Sequence, residues 1–508
     1  MTTRLLHAGF GVLATIVGVA AGHLVAALTE PAASPVLAVG STVIDLTPTP
    51  LKEWAIAHFG TNDKTVLVGS VLAGVLLLAA VAGLLARRRF ALGAGLLVVL
   101  VAVAASAALT RPTAGVADLL PSLAAAGTGV AALAWLVRAA PGRAGGAHRG
   151  DQAGGASRRG VLVAAGALAA AAAVMGGAGR WITSYRTRPE NVDLPAAADP
   201  APAFPAGLDD RVPGITPFRT SADDFYRVDT RLTLPVVSLG SWSLTIDGDV
   251  DREVTFSFDD LASMELIERD ITLTCVSNDV GGRYVGAARW LGVPLTDLLD
   301  RAGIDHTSAD QILSTDVDGM TISTPLDLAT DGRDAMIAIG MNGAALPVQH
   351  GFPARMVVPG LYGFVSATKW ITRMTLTTYA EQDAYWTQRD WATDAPIKIA
   401  SRIDTPKPLS TIDAGRTVIG GVAWAQHQGG VEKVEVRIDG GGWQEARLGP
   451  SAGQDYWRQW YLPWTAEKGQ HTLAVRAVNG EDEEQTAARA TPFPEGSSGI
   501  QQIVVTVA

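Results

Sequence analysis

Few residues in this chain of 508 are placed to do chemistry, and the first is its only cysteine. Cys275 closes the apolar run Ile271-Thr272-Leu273-Thr274 and opens the small polar turn Val276-Ser277-Asn278-Asp279-Val280-Gly281-Gly282. A strand end that feeds a glycine-rich turn presents a side chain into a cleft. A thiolate there could be a nucleophile beside a base such as histidine. It could also be a ligand to a soft or high-valent metal, or a small packed group with no chemistry. The residues alone leave the three open. One cysteine does exclude an intrachain disulfide, a cysteine-cluster zinc site, an iron–sulfur cluster and a CxxCH haem attachment. A second setting is His350-Gly351-Phe352-Pro353-Ala354-Arg355-Met356-Val357-Val358-Pro359-Gly360, where Arg355 sits inside an apolar, proline-flanked run. Charges are almost never buried unless paired, so a solvated surface position is a poor reading of this arginine. Lys369 follows in Ala367-Thr368-Lys369-Trp370.

These groups need elements to hold them, and the composition divides the chain in two. It is 48% hydrophobic and only 18% charged, with a mean hydropathy of +0.21. At roughly 100–200 residues per domain, its length implies about three units. Net charge is −10, which supplies no basic field for nucleic acid. A membrane-spanning helix needs about 20 mostly apolar residues. Segments 8–28, 65–86, 90–110, 117–139 and 160–179 qualify. The stretch 31–60 is proline-interrupted and reads as a loop with a short surface helix near Leu51–Phe59. Arg87–Arg89 follow the second span, and Arg138, Arg143, Arg149, Arg158 and Arg159 lie between the fourth and fifth. Basic loops stay in the cytoplasm, so a multi-pass cell-membrane protein is expected, with a cytoplasmic N-terminus and an extracytoplasmic second half. Ser157-Arg158-Arg159-Gly160-Val161-Leu162 looks like a twin-arginine export signal and reads equally well as ordinary topology-setting arginines. Of the eight histidines only His7 and His23 lie in or beside a span, both near the first, so a haem bridging two helices lacks an evident second ligand.

Residues 1–181 are therefore a transmembrane bundle, and 182–222, rich in proline, an extended linker. Beyond it, Trp242–Ile246, Val254–Phe258, Ile271–Cys275 and Met356–Val358 read as strands and Pro294–Ala302 as a helix. This is a mixed α+β domain over 223–402. It has no GxGxxG or Walker A element, so neither a dinucleotide nor a P-loop site is expected. After it, Thr417–Ala425, Lys433–Ile438, Gln459–Leu462, His471–Val478 and Ile503–Val507 alternate with glycine- and aspartate-rich turns. That pattern predicts an immunoglobulin-like β-sandwich over 403–508.

The second half resembles the sulfite oxidase family of molybdopterin enzymes, from about Asp223 onward. The resemblance rests on Thr272–Asn278, on Trp290-Leu291-Gly292-Val293-Pro294-Leu295, on Met341-Asn342-Gly343, and on the His350–Gly360 and Ala367–Trp370 blocks. It implies a molybdenum held on a pterin dithiolene, with Cys275 as the protein thiolate ligand. His350, Arg355 and Lys369 fall on positions that hold the cofactor, whose phosphate needs fixed donors. Tyr226 and Arg227, in Phe225-Tyr226-Arg227, resemble an early cofactor contact with the arginine register offset by one. Asp316 and Ser323 fall near a pterin-contacting loop. Gly421-Val422-Ala423-Trp424 and Trp457-Arg458-Gln459-Trp460 resemble the family's dimerisation domain and imply a homodimer. The family's tyrosine before the Asn-Gly turn is Ile339 here, and the arginine five residues after the cysteine is Val280.

Losing a phenol and a cation leaves a pocket ill-suited to a small dianion. The expectation is a membrane-anchored enzyme with an outward-facing molybdenum centre. It would perform two-electron oxygen-atom transfer on a small-molecule substrate other than sulfite, with an electron-transfer partner not identified by the sequence. A periplasmic sulfoxide reductase is the nearest variant. A membrane transporter or sensor with a binding ectodomain is the reading from another class; intramembrane charges would favour it, and the spans hold almost none.

Overall fold

The computed structural model describes residues 2–59, 63–140, 158–188 and 192–508. The chain divides into two units. One is Met1–Arg188 with Asp229–Val236, and the other is Pro189–Val228 with Val237–Ala508.

The first unit is helical: α1 (Thr2–Leu28), α2 (Pro35–Leu46), α3 (Thr49–Phe59), α4 (Asp63–Arg88), α5 (Phe90–Leu109), α6 (Leu120–Ala139) and α7 (Arg158–Arg186). Among the described residues five helices are long and apolar enough to cross a membrane, over Thr3–Leu28, Lys64–Arg88, Phe90–Leu109, Val116–Ala139 and Arg159–Arg186. Ser157, Arg143 and Arg149 lie outside the described residues. The stretch expected as a loop carries a helix over Pro35–Leu46 as well as the one near residue 51. Its prolines do not break it, because Pro35 stands at the first turn, where no backbone N–H is needed. Helix α1 runs through the middle, with Phe10, Ala14 and Val17 buried against neighbours such as Leu133 and Leu168. At Gly11 and Gly83 the backbones of α1 and α4 meet directly, and a Cβ on either would strike the other helix. The outward faces are apolar, with Leu77, Val99, Val103, Leu162 and Val174 exposed. Surface of this kind suits lipid rather than water. Residues 229–236 join this unit. Lys64 Nζ donates to Asp229 Oδ1 at 2.9 Å and to the Arg231 carbonyl at 2.8 Å.

In the second unit, the proline-rich segment from 192 to 228 is not a free tether. Leu208, Val212, Ile215 and Phe218 are buried, and the Ala198 N–H donates to Leu266 O at 2.8 Å. Its spaced apolar side chains supply the reason. Ten strands follow: β1 (Ser243–Gly248), β2 (Val254–Ser257), β3 (Ile267–Thr274), β4 (Val285–Pro294), β5 (Gln311–Asp316), β6 (Thr321–Pro325), β7 (Met336–Met341), β8 (Ala344–Ala345), β9 (Arg355–Val357) and β10 (Ile371–Thr377). They form one sheet of order β2-β1-β10-β5-β6 and another of order β3-β4-β7-β8, with β9 paired to β7. A shared core of Leu244, Ile246, Val293, Leu298, Ile337 and Met356 lies among them.

The remaining strands are β11 (Ala400–Thr405), β12 (Thr411–Ile412), β13 (Gly415–Trp424), β14 (Val431–Ile438), β15 (Trp443–Glu445), β16 (Arg447–Leu448), β17 (Arg458–Ala466), β18 (Gly469–Asn479) and β19 (Gln501–Val507). Sheets of order β11-β13-β17-β16 and β12-β19-β18-β14-β15 share a second core. Ile419, Trp460 and Leu462 from one sheet meet Val434, Val475 and Val505 from the other.

Candidate functional site

Strand β3 ends one residue before Cys275. The Cys275 N–H donates to Tyr284 O at 2.9 Å, and the Asn278 N–H returns to Cys275 O at 3.0 Å. Asn278 Oδ1 accepts from the Tyr284 N–H at 2.8 Å, so the turn is closed across its base. Gly281 sits at φ +80 with the Gln501 side chain against it, which leaves no room for a Cβ. The C-terminal region holds the same turn from outside: Ser497 Oγ, in the loop before β19, donates to Asn278 O at 2.5 Å, and Arg402 Nη1 on β11 to Gly282 O at 2.8 Å. Cys275 is buried, and burial pushes its thiol upward, while Ser277 and the charge of Lys369 pull the other way. A buried thiol with a raised pKa is a poor free nucleophile. Coordination to a cation removes its proton outright.

Around this thiol stand side chains from four segments distant in sequence. Phe225 stacks on Tyr226 with centroids 5.2 Å apart, and meets Trp290 and His350 edge-on. The Tyr226 phenol is pushed up by burial and by neighbouring Cys275, against the pull of Arg355. His350 ends a short helical turn, with Nε2 2.7 Å from Ala222 O. That contact requires a proton on Nε2. Burial, with Arg355, Lys369 and Arg227 nearby, lowers His350 to about 4, against the pull of its bond to Ala222. It is a neutral donor at neutral pH.

Arg355 opens β9 and is only 5% exposed. Its guanidinium donates to the carbonyls of His350 at 3.1 Å and Ala367 at 3.4 Å, and lies 5.1 Å from the centroid of the Trp290 ring. Among the described residues no carboxylate forms an ion pair with it. Burial lowers Arg355 to about 10, while Tyr226 favours its charge. A buried arginine that meets only carbonyls and an aromatic face is pre-set for an anion. Lys369 bridges backbone to backbone with Arg355 and places Nζ 4.6 Å from the Trp370 ring centroid.

Tyr226, Cys275, His350, Arg355 and Lys369 therefore share one neighbourhood, with Arg227 exposed at its edge. Asp316 and Ser323 lie on the β5–β6 hairpin, where the Val317 N–H donates to Trp370 O, beside Lys369, at 3.1 Å. Asp316 Oδ1 accepts from the N–H groups of Asp318 at 2.7 Å and Met320 at 3.0 Å, closing the β5–β6 turn. Thr324 on β6 faces Met356. Its neighbour Ser323 therefore points to the opposite side of the sheet, toward Tyr379.

Sequence reasoning did not single out Tyr362. Its buried phenol is raised to about 12 by desolvation, with Cys275 and Glu495 among its neighbours. Nothing short of the fold would distinguish it from other core tyrosines. Gly363 follows, where a Cβ would lie 3.7 Å from Thr274 O and 3.8 Å from the Tyr226 hydroxyl. Thr274 Oγ1 is buried and has no hydrogen bond among the described residues. Ile339 is fully buried in β7, Val280 is half-buried in the turn, and Arg283 is exposed.

Residues 231–386 match the oxidoreductase molybdopterin binding domain. The mitochondrial sulfite oxidase of Rattus norvegicus is 31% identical over 302 residues, 49% of this chain and 54% of that protein. The human enzyme is 31% identical over 293 residues, 48% and 53% of the two chains. The NADH nitrate reductase of Solanum lycopersicum is 27% identical over 293 residues, 46% of this chain and 32% of that enzyme. The chain thus spans about half the length of the mammalian sulfite oxidases it matches. The sulfane dehydrogenase SoxCD of Paracoccus pantotrophus shares the fold at a TM-score of 0.51 and 23% identity, over 58% of this chain and 84% of that one.

Proposed function

We propose, from the premise that this chain belongs to the sulfite oxidase family of molybdopterin-dependent oxidoreductases, that Cys275 marks a centre for two-electron oxygen-atom transfer to or from a small molecule other than sulfite. The observation that carries it is the pairing of a buried thiol with a buried arginine that has no carboxylate partner among the described residues.

The residues present fit the cofactor. Cys275 offers a thiolate to the metal, and Arg355 and Lys369 offer a planar fork and a point charge to the anionic pterin. Thr274 Oγ1, without a hydrogen bond among the described residues, adds a donor within the same walls. When bound, the group supplies the two-electron change and the exchange of an oxygen atom with water. The protein binds, orients and sets the local field. Arg355 and Lys369 neutralise negative charge there, and His350 keeps an N–H on Ala222 O rather than acting as a base. Tyr226, its phenol kept protonated by burial, remains a donor at any physiological pH.

The residues that depart from the family pattern favour an uncharged substrate. Ile339 and Val280 bring no phenol and no cation, and Arg283 and Arg227 are exposed. A sulfoxide reductase is the second reading, favoured by this apolar replacement. We also read the spans as placing the centre outside the cell, the last span as export-competent, and the C-terminal sheets as an immunoglobulin-like module that pairs two chains. The basic loops support the first and the facing sheets the last. The test is a substrate screen of the purified full chain with artificial electron carriers, with molybdenum and pterin assayed beside it. Sulfoxide turnover with negligible sulfite oxidation is expected. Absence of molybdenum from cells that make the cofactor overturns the assignment.

A further inference from the structure

Strand β3, which ends at Thr274 just before Cys275, stands at the edge of its sheet, next to β4. An edge strand presents unpaired backbone groups to whatever lies beyond it. Three residues before the cysteine, Thr272 meets the C-terminal region with its N–H, its carbonyl and its hydroxyl. The N–H donates to Asp455 O at 2.9 Å, the carbonyl accepts from Gln426 Nε2 at 3.2 Å, and Oγ1 accepts from the Trp457 N–H at 2.9 Å. Thr272 is fully buried. Gln426 lies just past the end of β13 and Trp457 just before β17, and these strands are paired neighbours. Both members of that pair therefore grip the same residue. Opposite Thr272 on β4 is Ala287, whose carbonyl accepts from the Thr220 N–H at 2.9 Å and whose N–H donates to Thr220 Oγ1 at 3.1 Å. Thr220 leads into the segment that carries Ala222 and Tyr226 to the site.

Packing alone does not account for this arrangement. Gln426 is 1% exposed, and its Oε1 is buried with no hydrogen bond among the described residues. A buried amide left half-satisfied lowers stability, and a leucine would fill the same space without that penalty. The tie instead fixes a backbone. Strand residues advance about 3.3 Å each, so Thr272 holds the chain roughly 10 Å behind Cys275. A metal meets its ligand from the direction set by the chain behind that ligand. Groups that orient a ligand in this way tune the metal it holds.

We propose that Thr272 is a positioning residue for Cys275: Gln426, Asp455 and Trp457 fix the end of β3, and with it the direction in which the thiolate is offered to the metal. The C-terminal sheets then act on the centre of their own chain, besides pairing two chains. The effect on the metal rests on the reading of Cys275 as its ligand; the rigidity conferred on the Cys275 turn does not.

The full chain, purified in mild detergent, is measured in two forms. With its cofactor, the thiolate-to-metal absorption band and the molybdenum(V) paramagnetic resonance spectrum are recorded beside molybdenum content. From cells unable to make the pterin, hydrogen exchange of the Cys275–Asn278 amides is followed by mass spectrometry. Thr272→Val keeps the shape and removes the acceptor for the Trp457 N–H. Gln426→Leu removes the donor to the Thr272 carbonyl from the far side, and Thr272→Ser restores the hydroxyl. At molybdenum content equal to the parent's, T272V and Q426L should shift both spectra in the same sense. In both, the turn amides should exchange about tenfold faster, the scale of one lost hydrogen bond. T272S should match the parent in spectra and exchange. If T272V does not fold, Q426L decides alone. Unshifted spectra with unchanged exchange in Q426L overturn the proposal, and so does a loss of metal that accounts for every spectral change. Absence of molybdenum from the parent chain, with faster exchange in both variants, would instead defeat the ligand reading and leave the positioning of the turn standing.

Discussion

The backbones of Arg355 and Lys369 pair as an antiparallel bridge, so two cations fourteen positions apart stand side by side beneath the Cys275 turn. Neither could be placed there by local sequence. Gly351 makes the crossing possible: at φ +113 its missing Cβ would press on the side chains of both residues at 3.0 and 3.2 Å.

This pairing predicts unequal losses. Arg355→Lys keeps the charge and removes the planar fork, and should lower the pterin content of the purified protein about tenfold, the scale of a lost bidentate ionic hydrogen bond. Lys369→Ala, at a more exposed position, should cost several-fold less. Cofactor released on denaturation and quantified by fluorescence checks both.

Cys275→Ala should leave the fold intact, because it removes one small buried atom, at a cost on the order of 1 kcal/mol. It should abolish turnover. Far-ultraviolet circular dichroism and thermal melting read the first; turnover of whichever substrate the screen identifies reads the second.

His350 predicts a pH dependence. Its folded pKa of about 4 lies below the ordinary 6.5, so between these values the unfolded chain binds more protons. Its contribution to stability is full above pH 6.5, declines as pH falls toward 4, and is lost below. The slope of melting temperature against pH in this window should flatten in His350→Gln relative to the parent.

Gly496 tests the part played by the C-terminal module. It sits at φ +95, and a Cβ there would stand 2.5 Å from the Tyr362 ring. Gly496→Ala should displace Tyr362, lower turnover and leave the molybdenum content unchanged. Equal loss of metal and activity would show instead a general failure of packing.

Val280→Arg should admit anions, because it returns a cation to a half-buried turn beside the site. Inhibition by sulfate should tighten by about tenfold, the scale of one charge-assisted contact, and sulfite oxidation should rise. An unchanged inhibition constant would show that residue 280 does not face the substrate.

Much of this protein was readable along the chain, because the relevant forces are local. Twenty apolar residues in a row cannot stay in water, so among the described residues five long helices cover the expected spans, the first starting five residues earlier and the last running on seven residues to Arg186. Alternation and turn residues locate nine of the nineteen strands among the described residues. Cys275, His350, Arg355 and Lys369 stand out by their neighbours. Tertiary structure decided what those residues meet. Asp316 accepts from two backbone N–H groups of its own turn, and Ser323 stands on the face of β6 opposite Thr324, placements that only the hairpin fixes. The proline-rich segment looks like a tether until Phe218 is found buried, its carbonyl receiving the Tyr456 hydroxyl and the Trp457 indole from 238 and 239 positions away. Composition determines which segments avoid water; only the closed fold decides which buried charge lacks a partner, since that depends on every chain segment brought around it.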